Sequence, residues 1–314
     1  MITRGIHVRQ SPISVLQGED ASRLPDIAAP LAPGPPRWVA DVMPGARACA
    51  STPGVDVLAS EPLLLLSTTI ADAGHMTGDV LRDEVGRAYS AIGLALQPTG
   101  ASAIRWWNYL PDPGQLMAPG LDRYMVFNAG RHDGYRHSFD EVVFERSLPT
   151  ASAVGIAGDD LIIHCLASTA GGRAVENPRQ KPAWQYSHRY GPVPPTFSRA
   201  MLTSVGNLPL LLIGGTASVV GEDSTHADDV GAQIEETFRN LATLVASARG
   251  ETEPLSRSLS RIVDVRAYVT RPIDAGIVRA ALHARCPSAS RIELAAATLC
   301  RPELLVEIEG VAEM

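Results

Sequence analysis

Apolar residues along the chain form short strand-like runs separated by amphipathic helical stretches. After Thr77, which can cap a helix, one face recurs at helical spacing from Val80 through Glu84 to Leu96. This pattern predicts a helix that ends at the Pro-Thr-Gly sequence of residues 98–100. Strands are predicted on either side of this helix, at residues 62–69 and 103–110.

The same order of elements returns in the second half of the chain. A predicted strand precedes a helix whose apolar face includes Val230, Ile234 and Leu241, and which Thr225 or Asp228 can cap. The strands around this helix are residues 208–218 and 260–269. Each half then continues with a segment that can be helical and with two further strands. These segments are residues 122–135, 151–157 and 160–167 in the first half, and 273–284, 290–296 and 304–311 in the second.

The shared order of elements predicts an α+β fold made of two copies of a β-α-β-α-β-β module. The alternative is that any two α/β halves look alike at this level of detail. We expect modules at residues 55–170 and 205–314, an extended lead-in at 1–54, and an ordered connecting loop at 171–204 that contributes to the site. Because one such module cannot cover both faces of its sheet, the copies should pack together, with a ligand site in the crease between them.

Composition narrows the classes of protein to which the chain can belong. Of its 314 residues, 45% are hydrophobic and 19% are charged, and its formal net charge is −7. These values predict a globular protein and argue against a nucleic acid or a membrane surface as partner, since both favour a basic face. Residues 1–10 hold no apolar stretch typical of a signal peptide, and no apolar run is long enough to span a bilayer. We therefore expect a cytoplasmic protein.

No sequence motif points to a metal ion or a cofactor. The four cysteines are scattered and include no Cys-x-x-Cys pair. His132, Asp133, His137 and Asp140 match no standard zinc spacing and are typical of a polar loop.

The second half of the chain resembles a single module of the YjgF (RidA) family of reactive-intermediate deaminases. The resembling segments are residues 212–218, 229–248, 262–269 and 305–312. The resemblance implies that Glu307, the first acid of the final Glu-x-Glu strand, faces the ligand. An arginine that binds the ligand in that family aligns with Ala289 here, so deamination of an imine or enamine is not favoured.

As a whole, residues 55–314 are similar to the chorismatases. The similarity lies in six short segments in a common order, residues 127–131, 177–180, 189–192, 197–200, 215–221 and 306–310. It implies a cofactor-free enzyme that releases pyruvate from chorismate, a small dicarboxylate that carries an enol ether. It also implies a monomer shaped like part of a YjgF trimer.

Two carboxylates on a chorismate ligand call for at least two well-placed cations, and arginine suits this task because it can bind a carboxylate through two N–H groups. Arg131, Arg189 and Arg199 are candidates, although each could equally be a surface residue. Of the three, Arg131 and Arg199 are preferred. The further substrate-binding candidates are Asn128, Tyr186, Tyr190, Gly214, Gly215 and Thr216.

Glu307 is the candidate proton donor. Period-two alternation places Glu307 and Glu309 on one face of the last strand, opposite Val306 and Ile308. Cleavage of an enol ether begins with protonation of its methylene carbon, and a carboxyl does this near neutral pH only when burial raises its pKa. On the strand pattern alone, the alternative is a pair of surface acids. The resemblance assigns the catalytic role to Glu307 and leaves Glu309 open.

Two products are possible after protonation. Water can add and leave a dihydroxy-cyclohexadiene acid, or the neighbouring ring hydroxyl can displace pyruvate through an arene oxide that becomes 3-hydroxybenzoate. Chorismatases that form 3-hydroxybenzoate carry a cysteine seven residues before the acid, here Cys300, and a glycine in the strand before Thr216, here assigned to Gly214. The resemblance therefore favours 3-hydroxybenzoate. A YjgF-like protein that binds a small carboxylate without turnover is a further alternative.

Overall fold

A computed structural model describes residues 28–49, 52–138, 148–251 and 254–314 of the chain. Residues 1–27, 50 and 51 of the predicted lead-in lie outside this description. The described part of the lead-in forms strand β1 (Ala29–Pro30), helix α1 (Trp38–Val42) and strand β2 (Arg47–Ala48). It contacts both halves of the molecule, because β1 pairs with the C-terminal sheet and β2 with the N-terminal sheet.

The N-terminal module contains a mixed sheet with helices α2 (Gly78–Leu96) and α3 (Arg123–Ser138). Its strands are β3 (Asp56–Ser60), β4 (Leu63–Ile70), β5 (Ser102–Pro111), β6 (Leu116–Ala118), β7 (Leu121–Asp122), β8 (Thr150–Ile156) and β9 (Leu161–Ser168). The main sheet has the order β2-β3-β4-β9-β5-β8. Strands β5 and β8 run parallel, and the other neighbours are antiparallel.

The C-terminal module repeats this architecture with helices α4 (Val230–Arg249), α5 (Leu255–Leu259) and α6 (Ala275–Arg285). Its strands are β10 (Arg173–Val175), β11 (Ala200–Val205), β12 (Leu208–Ala217), β13 (Val219–Val220), β14 (Asp223–Ser224), β15 (Ile262–Val269), β16 (Arg291–Ala296) and β17 (Val306–Glu313). The sheet order is β10-β11-β12-β17-β15-β16-β1.

The two sheets share one topology. The order β3-β4-β9-β5-β8 corresponds to β11-β12-β17-β15-β16, and the parallel pair within the module lies at the same place in each. A register shift also occurs at the same point, between Ala103 and Arg105 in β5 and between Ile262 and Asp264 in β15. The predicted α+β fold with a duplicated YjgF-like module is confirmed. Each copy begins with an additional strand, β3 or β11, that the sequence pattern did not predict.

The additional strands change the start of each copy. Strand β3 is exposed or half-buried along its whole length, so its sequence carries little of the alternation that identifies a strand. Strand β11 begins at Ala200 and therefore includes the last residues of the segment predicted as a connecting loop, 171–204. The remainder of that segment is ordered by contacts with the C-terminal module, such as the hydrogen bond from the Lys181 N–H to the Gly221 carbonyl, 2.8 Å long.

The apolar face of α2 is offset from the predicted one. Val80 is 46% exposed and Glu84 pairs with Arg87 on the outer side of the helix, whereas Leu81 and Val85 are fully buried. The prediction was wrong here because Leu81 and Val85 repeat at the same spacing as Val80 and Glu84. Both stripes pass through the second half of the helix, so spacing alone did not separate them.

The residue that caps the N-terminus of α4 also differs from the prediction. Asp229 caps this helix, and its Oδ1 accepts a 2.9 Å hydrogen bond from the Ala232 N–H. Thr225, which was predicted to cap it, instead exchanges hydrogen bonds with Ser218. Asp228, the other predicted cap, has a left-handed backbone with φ of 64°.

The modules pack sheet against sheet, with their helices on the two outer faces. One outer core joins α2 and α3 to the N-terminal sheet, and the other joins α4 and α6 to the C-terminal sheet. A third hydrophobic cluster lies between the sheets and includes Trp107, Leu212 and Tyr268, with Trp38 of α1. Each copy therefore covers the sheet face that the other leaves open, as expected for a pseudo-oligomer.

Candidate active site

A pocket lies between the two modules and is partly covered by the segment that connects them. Residues of α3, β8, the connecting segment, β12 and the turn before β17 line it. Its charged lining groups are Asp122, Arg131, Arg199, Arg301 and Glu307. This crease is where the duplication predicts a ligand site. Although the chain is acidic overall, three guanidinium groups make the pocket a place for an anionic ligand.

Glu307 points into the pocket from strand β17. Its neighbours on the opposite face, Val306 and Ile308, belong to the outer core against α4, so the alternation directs both Glu307 and Glu309 towards the other module. Glu307 is 6% exposed. Burial, helped by the charge of Glu309 and opposed by Arg105, Arg199 and Arg301, raises the pKa of its carboxyl to about 8. The carboxyl is therefore mostly protonated at neutral pH.

The duplicated fold carries this acid in one copy. Tyr268 of β15 pairs with Glu307 of β17, and in the N-terminal sheet Tyr109 of β5 pairs with Ile162 of β9. Ile162 thus holds the position that corresponds to Glu307. Ile162 has no proton to donate, so in this pair of equivalent positions the C-terminal copy alone supplies an acid.

A β-bulge makes room for the Glu307 carboxyl. Ile213 pairs with Gly310 and Thr216 with Ile308, so Gly214 and Gly215 together oppose Glu309. A Cβ on Gly215 would overlap the Glu307 carboxylate oxygen and lie 2.7 Å from its Cδ. A Cβ on Gly214 would face away from that carboxyl, 2.5 Å from Thr150 Oγ1 and 2.8 Å from the Ala151 carbonyl. Gly215 lines the pocket, and Gly214 is not among its described lining residues.

Glu309 has a different environment from Glu307. Its carboxylate accepts hydrogen bonds from Arg105 Nη2 at 2.7 Å, from Trp107 Nε1 at 3.0 Å and from the Ser152 hydroxyl. All three donors belong to the N-terminal module. Glu309 is 2% exposed and is not among the residues found to line the pocket. With its oxygens held by these donors, Glu309 joins the two modules.

Helix α3 places Arg131 in the pocket. Gly130 and Gly134 lie on the side of α3 that packs against α2, and a Cβ on Gly134 would lie 2.6 Å from the Tyr89 Cβ. Arg131, the next residue after Gly130, projects from a different side of the helix. Arg131 is 1% exposed and donates a 2.8 Å hydrogen bond to Asn128 Oδ1. Asn128 is itself buried and is not among the lining residues described for the pocket, so it orients Arg131.

Aromatic rings hold two further arginines at the pocket. Arg199 donates a 2.6 Å hydrogen bond to the Tyr186 hydroxyl and a 2.8 Å bond to the Lys181 carbonyl. Arg301 lies over the Tyr190 ring, with its Cζ 3.9 Å from the ring centroid, and the Tyr186 and Tyr190 rings are 5.2 Å apart. The stack Arg199-Tyr186-Tyr190-Arg301 connects the 171–204 segment to the turn before β17.

Arg301 is a pocket residue that the sequence did not reveal. Its Nη1 donates to the Glu222 carbonyl at 2.8 Å and to Ser224 Oγ at 3.1 Å. The one available signal was its position directly after Cys300. Tyr124, which also lines the pocket, was likewise not predicted. Burial raises the pKa of its phenol above the usual value, so this hydroxyl stays protonated.

Besides Asn128 and Gly214, two further sequence candidates do not line the pocket. The side chain of Arg189 is 58% exposed and pairs with Asp223 on the surface. Thr216 is buried, and its hydroxyl donates a 2.9 Å hydrogen bond to the Gly214 carbonyl within the bulge. Neither is among the described residues that line the pocket.

Cys300 lies in the turn before β17 and lines the pocket with Glu307. Burial, helped by the neighbouring Glu307 carboxyl and opposed by the charge of Arg301, raises the pKa of its thiol to about 12. The group is therefore a neutral thiol and not a thiolate nucleophile. It can donate a weak hydrogen bond and keeps water from the space that it fills.

The pocket can hold a small dianion and can donate a proton. Among the residues described, no group of three or more His, Cys, Asp or Glu side chains could hold a metal ion, and Asp140 lies outside those residues. No helix in the described part of the chain is long and apolar enough to cross a membrane.

A family model and several known proteins match the sequence of this chain. The family model described as chorismatase FkbO/Hyg5-like, N-terminal, matches residues 41–167. A 3-hydroxybenzoate synthase from Streptomyces hygroscopicus is 31% identical over 235 residues, which are 71% of this chain and 67% of that protein. A chorismatase from Streptomyces rapamycinicus is 32% identical over 67% of this chain and 64% of its own length.

A solved structure is also similar to this chain. A chorismatase crystal structure superposes with a TM-score of 0.74 and 26% sequence identity, over 84% of this chain and 78% of that one. The similarity therefore extends through both modules, beyond the segment that the family model matches.

Proposed function

The chain belongs to the chorismatase family, and on that premise we propose that it converts chorismate into 3-hydroxybenzoate and pyruvate. The observation that carries this proposal is the buried, largely protonated Glu307 carboxyl in a pocket that also presents three arginines. A dianionic enol ether needs both features, namely cations for its carboxylates and an acid for its methylene carbon.

We propose an orientation of chorismate from the charges in the pocket. Arg199 and Arg301 are close enough to Glu307 to lower its pKa, whereas Arg131 lies between the Phe127 and Phe197 rings. The methylene carbon must contact Glu307, so the carboxylate of the enolpyruvyl group faces Arg199 and Arg301. The ring carboxylate then faces Arg131. The Phe197 ring, which lines the pocket beside Arg131 and Arg199, suits the flat cyclohexadiene ring.

In the proposed reaction, Glu307 donates one proton to the substrate and later takes one back. Glu307 donates its proton to the methylene carbon, and the enolpyruvyl group becomes a good leaving group. The ring hydroxyl attacks the neighbouring carbon, the ether bond to that carbon breaks, and pyruvate leaves with the ether oxygen. The hydroxyl proton returns to the Glu307 carboxylate. The resulting arene oxide then opens to the phenol by moving a proton from carbon to oxygen, so no water is consumed.

We propose that Cys300 favours this route over hydrolysis. The hydrolytic alternative requires a water molecule next to the protonated enol ether. A neutral thiol beside Glu307 fills space that a water would otherwise occupy. Gly215 leaves room for the carboxyl in its bulge, and a side chain there would displace Glu307. We therefore propose that formation of 3-hydroxybenzoate requires glycine at position 215 as well as at position 214, where the absence of a side chain allows β8 to lie close to β12.

Release of pyruvate in a coupled lactate dehydrogenase assay tests the proposed activity. The purified chain is expected to release pyruvate from chorismate, whereas Glu307→Gln is expected to bind chorismate in calorimetry without releasing it. Binding without pyruvate release by the unaltered chain would support the alternative of a small-carboxylate binding protein and contradict the proposal.

We also propose that the chain acts as a monomer. The two modules already cover each other's inner sheet faces, and α1 adds Trp38 to the cluster between them. Light scattering after size-exclusion chromatography tests this proposal, and a stable dimer or trimer at micromolar concentration would contradict it.

A further inference from the structure

The turn that carries Cys300 and Arg301 rests on the other module. This turn, residues 297–305, connects β16 to β17. The Gly155 N–H on β8 donates a 2.7 Å hydrogen bond to the Thr298 carbonyl, and the two residues form an antiparallel bridge. Residues 151–153 of the same strand line the pocket. Strand β8 therefore supports the turn and forms part of the pocket wall.

Gly155 is a glycine because of space and not because of backbone conformation. Its φ lies outside the left-handed region that favours glycine, unlike that of Gly158. A Cβ at position 155 would overlap Thr298 Oγ1 and lie 2.7 Å from the Pro113 Cδ and 3.1 Å from the Thr298 Cβ. Rotation of the exposed Thr298 side chain would relieve the first overlap only, because Pro113 is a rigid ring.

We propose that Gly155 is a positioning residue of the reaction, which sets where Cys300 and Arg301 stand relative to Glu307 by letting the 297–305 turn lie directly on β8. This proposal rests on the proposed function. It gives strand β8 of the N-terminal module a part in positioning the site, in addition to the carboxylate-binding role of Arg131 from the same module.

A displacement at Thr298 would reach Cys300 before it reaches Glu307. Cys300 is two residues from Thr298, whereas Glu307 is fixed within β17 between β12 and β15. The far end of the turn is held separately, because the Gln233 side chain donates to the Glu303 carbonyl and accepts from the Leu305 N–H, each at 2.8 Å. A larger residue at 155 should therefore disturb the part of the site that favours the aromatic product more than the proton donor.

Gly155→Ala in the full chain tests the proposal by product analysis. A displacement of about 1 Å at a reacting site can cost up to ~10²-fold in rate, so we expect kcat/KM for 3-hydroxybenzoate to fall by about 10- to 100-fold. Pyruvate release should fall less, so that the molar ratio of pyruvate to 3-hydroxybenzoate rises above that of the unaltered chain. Gly276→Ala is the matched control, since a Cβ there meets nothing within 4 Å. An unchanged ratio and rate in a folded Gly155→Ala variant would overturn the proposal.

A double-mutant cycle with Thr298→Gly tests whether the effect of Gly155→Ala arises from the contact with the 297–305 turn. Thr298→Gly removes two of the three close contacts of a Cβ at 155, so Gly155→Ala should cost less in that background. Equal costs in both backgrounds would contradict the proposed contact. Should Gly155→Ala fold poorly, Thr298→Leu exerts the same pressure from the side of the turn and is expected to shift the product ratio in the same direction; an unaltered ratio in that variant would likewise contradict the proposal.

The reactivity of the Cys300 thiol gives a readout that does not depend on the reaction. In a Cys49→Ser background, which removes the exposed cysteine, iodoacetamide should modify Cys300 several-fold faster in Gly155→Ala than in the parent. Identical modification rates would mean that the turn has not moved, and would overturn the positioning role. Failure of the parent to convert chorismate would instead count against the proposed function alone.

Discussion

Arg105 of the N-terminal module and Glu309 of the C-terminal module form an ion pair in which Nη2 and Oε2 are 2.7 Å apart and both side chains are 2% exposed. The two residues are separated by 204 positions in the chain. Ser152, which lines the pocket, donates to the same carboxylate oxygen. The pair thus connects the packing of the two modules to the wall of the pocket.

Removal of one partner of this pair is expected to destabilise the fold strongly. Glu309→Ala leaves the Arg105 charge buried without its carboxylate, at a cost of about 3–5 kcal/mol in the free energy of unfolding. The variant Arg105→Met/Glu309→Leu removes both charges and should lose less than either single change. Denaturant unfolding measures these differences. Arg285→Ala, which breaks an exposed pair with Glu235, is the control, with a loss under about 1 kcal/mol. A loss that small for Glu309→Ala would contradict the structural role.

The raised pKa of Glu307 predicts how activity depends on pH. The acid form donates the proton, so kcat/KM, which reports the free enzyme, should be constant at low pH within the range where the protein is folded and should fall as the pH passes about 8. A pH–rate profile of pyruvate release checks this. A decline centred near pH 5 would show that Glu307 has an ordinary pKa and would contradict the account.

The same shift predicts a pH-dependent stability. The folded state holds the Glu307 proton up to about pH 8, whereas the unfolded chain loses it near 4.5, so unfolding free energy is lost as the pH rises through this window. Glu307→Gln has no such proton to lose. Its stability relative to the unaltered chain should therefore rise by roughly a few kcal/mol between pH 5 and pH 8. Equal stabilities of the two proteins at both pH values would contradict the assigned shift.

Substitution of the pocket arginines by lysine tests their role in binding carboxylates. Arg131→Lys, Arg199→Lys and Arg301→Lys keep the charge but lose the planar fork that binds both oxygens. We expect each to lower kcat/KM for chorismate by roughly 10- to 100-fold, the equivalent of one charge-assisted hydrogen bond. Arg285→Lys is the matched control and should retain the parent value. A pocket lysine variant with unaltered kcat/KM would remove that arginine from the binding site.

Cys300→Ala tests the choice between the two products. Loss of the thiol opens space beside Glu307 that water can enter, so the fraction of 3-hydroxybenzoate should fall in favour of the diene diol while pyruvate release continues. Product separation by liquid chromatography with mass detection measures the fraction. Cys49→Ser, which changes an exposed cysteine, should leave it unchanged. An unchanged product profile in Cys300→Ala would remove Cys300 from the mechanism.

Local periodicity was sufficient for most of the helices and strands, although it missed β3 and β11, and for the face of the last strand on which the acid lies; the catalytic role of Glu307 came from the family resemblance. Alternation along the last strand identified the face that Glu307 and Glu309 share, and helical spacing identified α2 and α4. What separates the two acids is their partners, since Arg105, Trp107 and Ser152 lie far from Glu309 in the chain. A local pattern carries no information on such contacts, so the sequence left the role of Glu309 open.

The arginines show the same limit. The sequence made Arg189 a candidate and gave no reason to choose Arg301, yet the first pairs with Asp223 at the surface and the second stacks on Tyr190 in the pocket. The difference arises from the path of the 171–204 segment across the C-terminal module. The bulge of β12 was equally invisible in the sequence. Because of this bulge, Gly215 and not Gly214 faces Glu307. No spacing rule in one sequence marks a bulge of this kind.

Identification of the products formed from chorismate tests the central claim most directly. The unaltered chain should give 3-hydroxybenzoate and pyruvate in equimolar amounts, and Glu307→Gln should reduce the formation of both by at least ~10²-fold while chorismate still binds. A dihydroxy-cyclohexadiene acid as the main product of the unaltered chain, or near-parental turnover in Glu307→Gln, would contradict the account.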